Sequence, residues 1–202
     1  TEPAPEPVEE EAIKVVGKNE SHYVIVGKKL QLNVETEGVR ILHINWISSN
    51  DKYATVDKNG LVATKKAGKG KSITITAEIS YEIIDGGEDS QTIGEPSGGD
   101  SAIYHTKRYY KITIPKDKIK KITISGKTSV KAGKSIKLRA RTTPKNVASG
   151  RLLWKSGNIK YATVSGSGKV KTKKSAKKKK VTITCSANDG SGKKKSVKIS
   201  IK

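Results

Sequence analysis

The sequence is poor in the residues that usually build large cores and catalytic sites. It has no phenylalanine and no methionine, two tryptophans, one cysteine and three histidines among 202 residues. Only 33% of the residues are hydrophobic, so one large core is not expected, whereas two small aliphatic cores are compatible with this composition. The scarcity of histidine argues against histidine-based catalysis and against multi-histidine metal sites.

Long apolar runs and paired cysteines are also missing. No stretch approaches the roughly 20 apolar residues of a membrane-spanning helix, so no span is expected in this segment. The single cysteine, Cys185, cannot form an internal disulfide. It lies in an alternating segment and is interpreted as a small buried residue, with a reactive thiol as the alternative. A chain that begins at Thr1 rather than methionine is expected of a mature or excised segment.

No catalytic or cofactor-binding pattern is present. Residues 115–202 contain no histidine and two acidic residues, Asp117 and Asp189, which excludes paired acid–base chemistry there. Nucleophile elbows, phosphate loops and paired-cysteine metal motifs are missing. The acidic residues of one hairpin match no calcium loop and are interpreted as solvated, with calcium binding or a partner contact as alternatives: Glu82, Asp85, Glu88, Asp89, Glu95 and Asp100. The histidines, His22, His43 and His105, are interpreted as incidental. We therefore expect no enzyme, no cofactor and no metal.

Positive charge is concentrated in one half of the chain, which has a net charge of +22. Residues 1–114 carry 14 Lys and Arg against 17 Asp and Glu, a net of −3, whereas residues 115–202 carry 27 against two, a net of +25. Such a half favours polyanionic partners: wall polymers, acidic glycans, nucleic acid or anionic lipid. Most of this charge is lysine, which lacks the planar bidentate geometry of arginine, so specific nucleic-acid reading is not expected.

The most informative feature is an internal repeat. The segment WISSNDKYATV at 46–56 recurs as WKSGNIKYATV at 154–164, at an offset of 108. Further matches follow at that offset: Gly60 with Gly168, Val62 with Val170, and residues 73–77 with 181–185. Upstream, GKKLQL at 27–32 resembles GKSIKL at 133–138, at an offset of 106.

Each copy of the repeat is predicted to form a small β-sandwich. Apolar and polar residues alternate with a period of two, as in Leu30, Leu32 and Val34, and in the segment Leu42, Ile44 and Trp46. Turn signals separate the strands, and no segment shows a helical period. Several short strands of this spacing are typical of a sandwich.

The repeat also predicts the domain limits. Residues 1–11 are a Pro/Glu-rich flexible linker, residues 12–114 a first domain, and residues 115–202 a lysine-rich second domain. The first domain has an extended hairpin at about 78–111, roughly 21 residues longer than its counterpart, and its Gly- and acid-rich tip at 85–101 is expected to be mobile. The short junction near Pro115 predicts a semi-rigid rod.

Both copies resemble bacterial immunoglobulin-like domains of the group-2 class, the intimin- and invasin-like type also found in Gram-positive surface proteins. The resemblance is carried by the Gly-Lys strand at 27–32 and 133–138, and by the Trp-x-Ser-x-Asn segment, Ala-Thr-Val and the turn before the next strand at 46–62 and 154–170. That turn is Gly-hydrophobic-Val in the first copy and Gly-Lys-Val in the second. It implies an all-β fold of two tandem antiparallel immunoglobulin-like β-sandwiches and a surface-exposed, non-enzymatic module. Its departures are the long hairpin and the lysine content of the second copy.

Two groups of residues are candidate sites. The matched aromatic residues are interpreted as core, with a sugar-stacking platform as the alternative: Trp46, Tyr53, Trp154 and Tyr161. Three lysine clusters form a candidate polyanion site, with a solvated face that discourages edge pairing as the alternative: Lys173, Lys174, Lys177, Lys178, Lys179, Lys180, Lys193, Lys194 and Lys195.

These observations predict a monomeric extracellular module of a bacterial cell-surface or cell-wall protein, acting as a stalk, spacer or adhesion segment. The alternative is an electrostatic anchor that binds an anionic wall polymer or acidic glycan through the second domain. A host surface ligand is a further candidate partner.

Overall fold

The computed structural model describes residues 12–84 and 102–202. The predicted linker at 1–11 and the predicted hairpin tip at 85–101 lie outside the described residues. Within these ranges the regular elements are β-strands and short 3-10 helices, and the sheets are almost entirely antiparallel. The all-β fold class is therefore confirmed.

Residues 12–84 and 102–114 of the first sandwich form seven strands in two layers. They are β1 (Ile13–Gly17), β2 (Lys29–Thr36), β3 (Val39–Ser48), β4 (Ala54–Val56), β5 (Leu61–Thr64), β6 (Ser72–Ile83) and β7 (Tyr104–Thr113). One layer has the order β1-β2-β5-β4 and the other the order β3-β6-β7. A parallel bridge between Tyr23 and Thr113 extends the second layer at its β7 edge.

The second sandwich has nine strands. They are β8 (Lys121–Ser125), β9 (Ser129–Val130), β10 (Ser135–Lys137), β11 (Arg139–Thr143), β12 (Leu152–Ser156), β13 (Ala162–Val164), β14 (Lys169–Thr172), β15 (Lys180–Ala187) and β16 (Lys194–Ile201). One layer has the order β12-β15-β16-β9. The other contains the pair β11-β8 and the trio β10-β14-β13. Only Leu138 separates β10 from β11, and its amide donates to the Gly168 carbonyl at 2.9 Å. The pair and the trio therefore form one continuous layer.

The repeat in the sequence is a repeat in the topology. The β2-β5-β4 order of the first sandwich corresponds to the β10-β14-β13 order of the second, and β3-β6-β7 corresponds to β12-β15-β16. The parallel contact of Tyr23 with the last strand of its layer corresponds to the parallel pairing of β9 with β16. Period-two alternation therefore places the same strand positions toward each core, where Leu32 and Leu138 are both about 1% exposed.

The matched glycines hold the turn beneath each tryptophan. Gly60 and Gly168 have φ of +76° and +81°, a left-handed conformation that side chains rarely adopt. A Cβ there would lie 2.8 Å from the Leu32 carbonyl oxygen and 2.6 Å from that of Leu138, and within 3.3 Å of the tryptophan ring in each copy. The turn therefore requires glycine both for its backbone angle and for its contact with the ring.

One predicted alternation is interrupted in the structure. The register of β3 against β6 shifts between Ile41 and His43, which is a β-bulge. Leu42 is consequently 42% exposed instead of facing the core with Ile44 and Trp46.

Candidate functional site

The lysine clusters singled out from the sequence lie at opposite ends of the second sandwich. Lys173 to Lys179 occupy the loop before β15, and Lys180 is its first residue, whereas Lys193 to Lys195 span the turn into β16. In the β15–β16 ladder Lys180 faces Ser200 and Lys194 faces Ser186. Six residues of extended strand therefore separate the two ends, or roughly 20 Å. The structure does not bring these clusters together.

A different set of cations shares one outer surface, which we call the basic face. It is formed by the layer containing β8, β10, β11 and β14. The side chains alternate with buried residues such as Ile122, Leu138 and Val170, and all six are exposed: Lys121, Lys137, Arg139, Arg141, Lys169 and Lys171.

The strand register gives the basic face its pattern. Lys137 lies directly opposite Lys169. At about 5 Å between backbones, two like charges in this position oppose sheet formation. The other cations have hydroxyl-bearing neighbours across the strands: Arg139 faces Ser125, Arg141 faces Thr123, Lys121 faces Thr143, and Lys171 lies between Ser135 and Thr163. The surface thus alternates positive charge with hydroxyl groups.

No acidic side chain on the strands of the second domain neutralises the basic face. Residues 115–202 are all described and contain two acidic residues, Asp117 and Asp189. Asp189 is 0% exposed and is paired with Arg151 inside the protein. Asp117 lies in the segment before β8. The positive charge of the face is therefore uncompensated by neighbouring strands.

The first sandwich has the same strand positions without this charge. Gln31, Asn33 and Glu35 of β2 occupy the positions of Lys137, Arg139 and Arg141, and Leu61 and Ala63 of β5 occupy those of Lys169 and Lys171. Because both copies have the same topology, the fold itself does not require cations there.

The opposite layer of the second domain is less strongly charged. Its strands carry five exposed lysines and no arginine: Lys155, Lys180, Lys194, Lys195 and Lys198. They are interspersed with hydroxyl side chains, of which Thr184 and Ser196 are hydrogen-bonded to each other at 2.9 Å.

A buried ion pair lies where the two domains meet. The Arg151 Nη2 atom donates to Asp189 Oδ2 at 2.6 Å, and the Nε atom donates to the same oxygen at 3.1 Å. The same Nη2 atom also donates to the Asp117 carbonyl at 2.6 Å. The side chains are 8% and 0% exposed, respectively. The pair therefore fastens the β15–β16 turn to the segment that joins the domains.

The turn that carries Asp189 also contacts the first domain. The Ile25 amide donates to the Asp189 carbonyl at 2.9 Å, the Ser21 hydroxyl donates to the Asn188 carbonyl, and the Asn188 side-chain amide donates to the Asn19 carbonyl at 3.1 Å. Gly190 and Gly192 mark a turn in the sequence, but its role is not visible there, because its partners are more than 160 residues away.

The aromatic residues singled out from the sequence lie in or against the cores. Trp154 is 8% exposed within the second core, and Tyr161 packs against that core. Trp46 and Tyr53 are half-buried and pack against the first core. None of the four is an open aromatic platform.

Cys185 occupies the matched position of Ala77, and both are 0% exposed. Burial raises the pKa of the Cys185 thiol to about 11. Only about one thiol in a thousand is then ionised at pH 8, and the thiolate is the reactive form.

We expect Cys185 of the folded chain to resist a thiol reagent such as DTNB at pH 8 and to react stoichiometrically in guanidinium chloride. The measurement is the absorbance of the released chromophore with time. An added exposed cysteine, Lys202→Cys, is the matched control and should react at once. Stoichiometric labelling of native Cys185 within minutes would show that the site opens readily.

Two of the three histidines and Glu78 of the first domain make side-chain contacts. The His105 ring lies 3.0 Å from the Ser80 hydroxyl, and His22 stacks on Tyr110 at 4.4 Å between ring centroids. Burial raises the pKa of the Tyr110 phenol. Hydrogen bonding to Lys107 lowers the pKa of Glu78 and raises that of the lysine. Among the described residues, no group of three or more His, Cys, Asp or Glu is placed to hold a metal ion.

Two immunoglobulin-like sandwiches in tandem define the class of this protein. The chain belongs to the family of bacterial Ig-like domains (group 2), which matches residues 13–81 and 118–198. The resemblance inferred from the repeated tryptophan segment is thereby confirmed.

Individual similar proteins are more distant or match only a segment. A 3-O-alpha-D-galactosyl-alpha-L-arabinofuranosidase of Bifidobacterium longum subsp. longum is 38% identical over 82 residues, which span 37% of this chain and 7% of that enzyme. Domains 4 and 5 of the surface layer protein SbsC are 16% identical with a TM-score of 0.32, covering 94% of this chain and 96% of that one. The C-terminal fragment of intimin, solved with the intimin-binding domain of its translocated receptor, is 15% identical with a TM-score of 0.31, covering 93% and 62%.

Within residues 12–84 and 102–202, no helix has the length and apolarity needed to cross a membrane.

Proposed function

We propose that this chain is a non-enzymatic, extracellular segment of a bacterial cell-surface protein and that it acts as a stiff spacer between other parts of that protein. Membership of the bacterial Ig-like family supports the surface role. The observation that carries the spacer role is the joint, where the β15–β16 turn bonds to the backbone of residues 19–25. A joint with several hydrogen bonds and a buried ion pair resists bending, and a spacer requires this stiffness.

The spacer role is tested by the distance between the far ends of the two domains. Spin labels are attached to Glu37→Cys and Lys202→Cys, two exposed positions remote from the joint, in a chain carrying Cys185→Ala. Alanine is the residue that the first domain has at the matched position. We expect one narrow distance distribution by pulsed electron paramagnetic resonance. A broad distribution with several maxima would contradict the spacer role.

A second candidate function is favoured by the charge distribution. The second domain carries a net charge of +25 and the first half of the chain −3. A domain with this excess concentrates anionic polymers at its surface, and it gains free energy when their counterions are released. The second domain would then anchor the protein to an anionic wall polymer, with the first domain extending away from it.

A further inference from the structure

We propose that the basic face is a binding site for a linear polymer that bears phosphate groups, such as a polyol phosphate chain. This inference rests on the anchoring role given above as the second candidate function. It assigns that role to Lys121, Lys137, Arg139, Arg141, Lys169 and Lys171 rather than to the lysine runs of the loops.

The first argument is that the face departs from a rule of sheet stability. Lys137 and Lys169 lie directly opposite each other on strands whose backbones are about 5 Å apart, and both side chains are positively charged. The first sandwich has Gln31 opposite Leu61 at this position and forms the same ladder. The repulsion between these two lysines destabilises the second copy, and the first copy shows that the fold does not require it. Such a destabilising pair is expected where the residues serve a function.

The second argument is the kind of cation. The second domain has three arginines, and Arg151 is used in the buried ion pair. The other two, Arg139 and Arg141, stand two residues apart on β11, at roughly 7 Å along the strand. A guanidinium group bonds two oxygens of one phosphate, and the Ser125 hydroxyl across the ladder is a further donor to phosphate oxygens. The Thr123 hydroxyl instead donates to the Arg141 carbonyl at 3.4 Å.

The third argument separates the basic face from the other lysines. Lys173 and Lys174 match Lys65 and Lys66, so paired lysines in this loop are common to both domains. The strands of the opposite layer of the second domain carry lysines but no arginine, so they lack a group that bonds two phosphate oxygens at once. No aromatic side chain projects from the strands of the basic face, so the bases of a nucleic acid would find no stacking partner there.

The test compares three variants of the full chain that each remove four positive charges. The face variant carries Lys137→Gln, Arg139→Asn, Arg141→Gln and Lys169→Gln. The opposite-layer control carries Lys155→Gln, Lys180→Gln, Lys194→Gln and Lys198→Gln. The loop control carries Lys173→Gln, Lys174→Gln, Lys177→Gln and Lys179→Gln. All twelve positions are exposed, and thermal unfolding by circular dichroism checks that each variant folds.

Binding of fluorescent poly(glycerol phosphate) is measured by anisotropy between about 0.05 and 0.2 M salt. We expect the face variant to lose at least about tenfold in affinity at the lowest salt, and its salt slope to fall by about 3, since each lost phosphate contact removes about 0.7. The two controls should stay within about threefold of the unmodified chain, because they retain the contacts.

The outcomes are distinguishable. An equal loss in all three variants would overturn the inference and leave a diffuse electrostatic anchor. No binding by the unmodified chain at about 0.05 M salt would overturn the anchoring role itself. Tighter binding of heparin, polygalacturonate or single-stranded oligothymidine than of poly(glycerol phosphate) would overturn the assignment to a polyol phosphate.

Discussion

Replacing Arg151 with alanine is expected to lower the free energy of unfolding of the second domain by about 3–5 kcal/mol. The substitution leaves the Asp189 carboxylate 0% exposed without its guanidinium partner, and it removes the bond to the Asp117 carbonyl. A buried charge without a partner costs far more than a lost surface contact. The interdomain distance distribution should broaden at the same time, because the turn that holds Ile25 is no longer fixed.

The measurement is urea unfolding followed by tryptophan fluorescence in a Trp46→Phe background, so that Trp154 reports on the second domain alone. Arg139→Ala is the matched control, since it removes an exposed arginine from the same domain and should change stability by less than about 0.5 kcal/mol.

A double change separates the charge effect from the packing effect. Arg151→Met with Asp189→Asn removes both charges, and the asparagine can still accept the hydrogen bond that the Ser191 amide donates to Asp189. We expect this pair to recover part of the stability lost by Arg151→Ala. A cost below about 1 kcal/mol for Arg151→Ala alone would show that the ion pair does not fasten the joint.

Replacing Trp154 with alanine is expected to cost the second domain about 3–5 kcal/mol, the range for truncating a large core side chain. The ring is 8% exposed and packs against Gly168 and the second core. Trp46→Ala is the matched comparison in the first domain, where the ring is half-buried, and a smaller loss is expected there.

Calorimetry of the full chain measures the effect of each tryptophan variant, because each substitution should shift the unfolding transition of its own domain only. The alternative interpretation, in which these rings are sugar platforms, expects little loss of stability from either change. A cost within about 1 kcal/mol for Trp154→Ala would contradict its placement in the core.

The fold could be predicted from the sequence because its signals are local. Alternation in segments such as 30–34 and 73–77 indicates strands, and glycines such as Gly60 and Gly168 mark the turns that need a left-handed backbone. The repeat of the tryptophan segment then predicted two copies of one fold. The bulge at Leu42 was not predictable in this way, because it depends on the register of β3 against β6.

The lysine runs at 173–180 and 193–195 were the candidate polyanion site in the sequence because their lysines are clustered, yet the two runs lie at opposite ends of the second domain. The basic face is built instead from single cations that alternate with core residues on strands far apart in the chain. Each of them alone is indistinguishable from a solvating side chain. Only the pairing of β10 with β14 and of β11 with β8 places them side by side.

The sequence by itself determined the fold class, the repeat and the concentration of charge in the second half, since composition and short-range alternation carry that information. The tertiary structure decided which charges share a surface and that Arg151 meets Asp189 at the joint. The physical reason is that strand register and domain contact join residues by distance in space, and a one-dimensional pattern does not encode that distance.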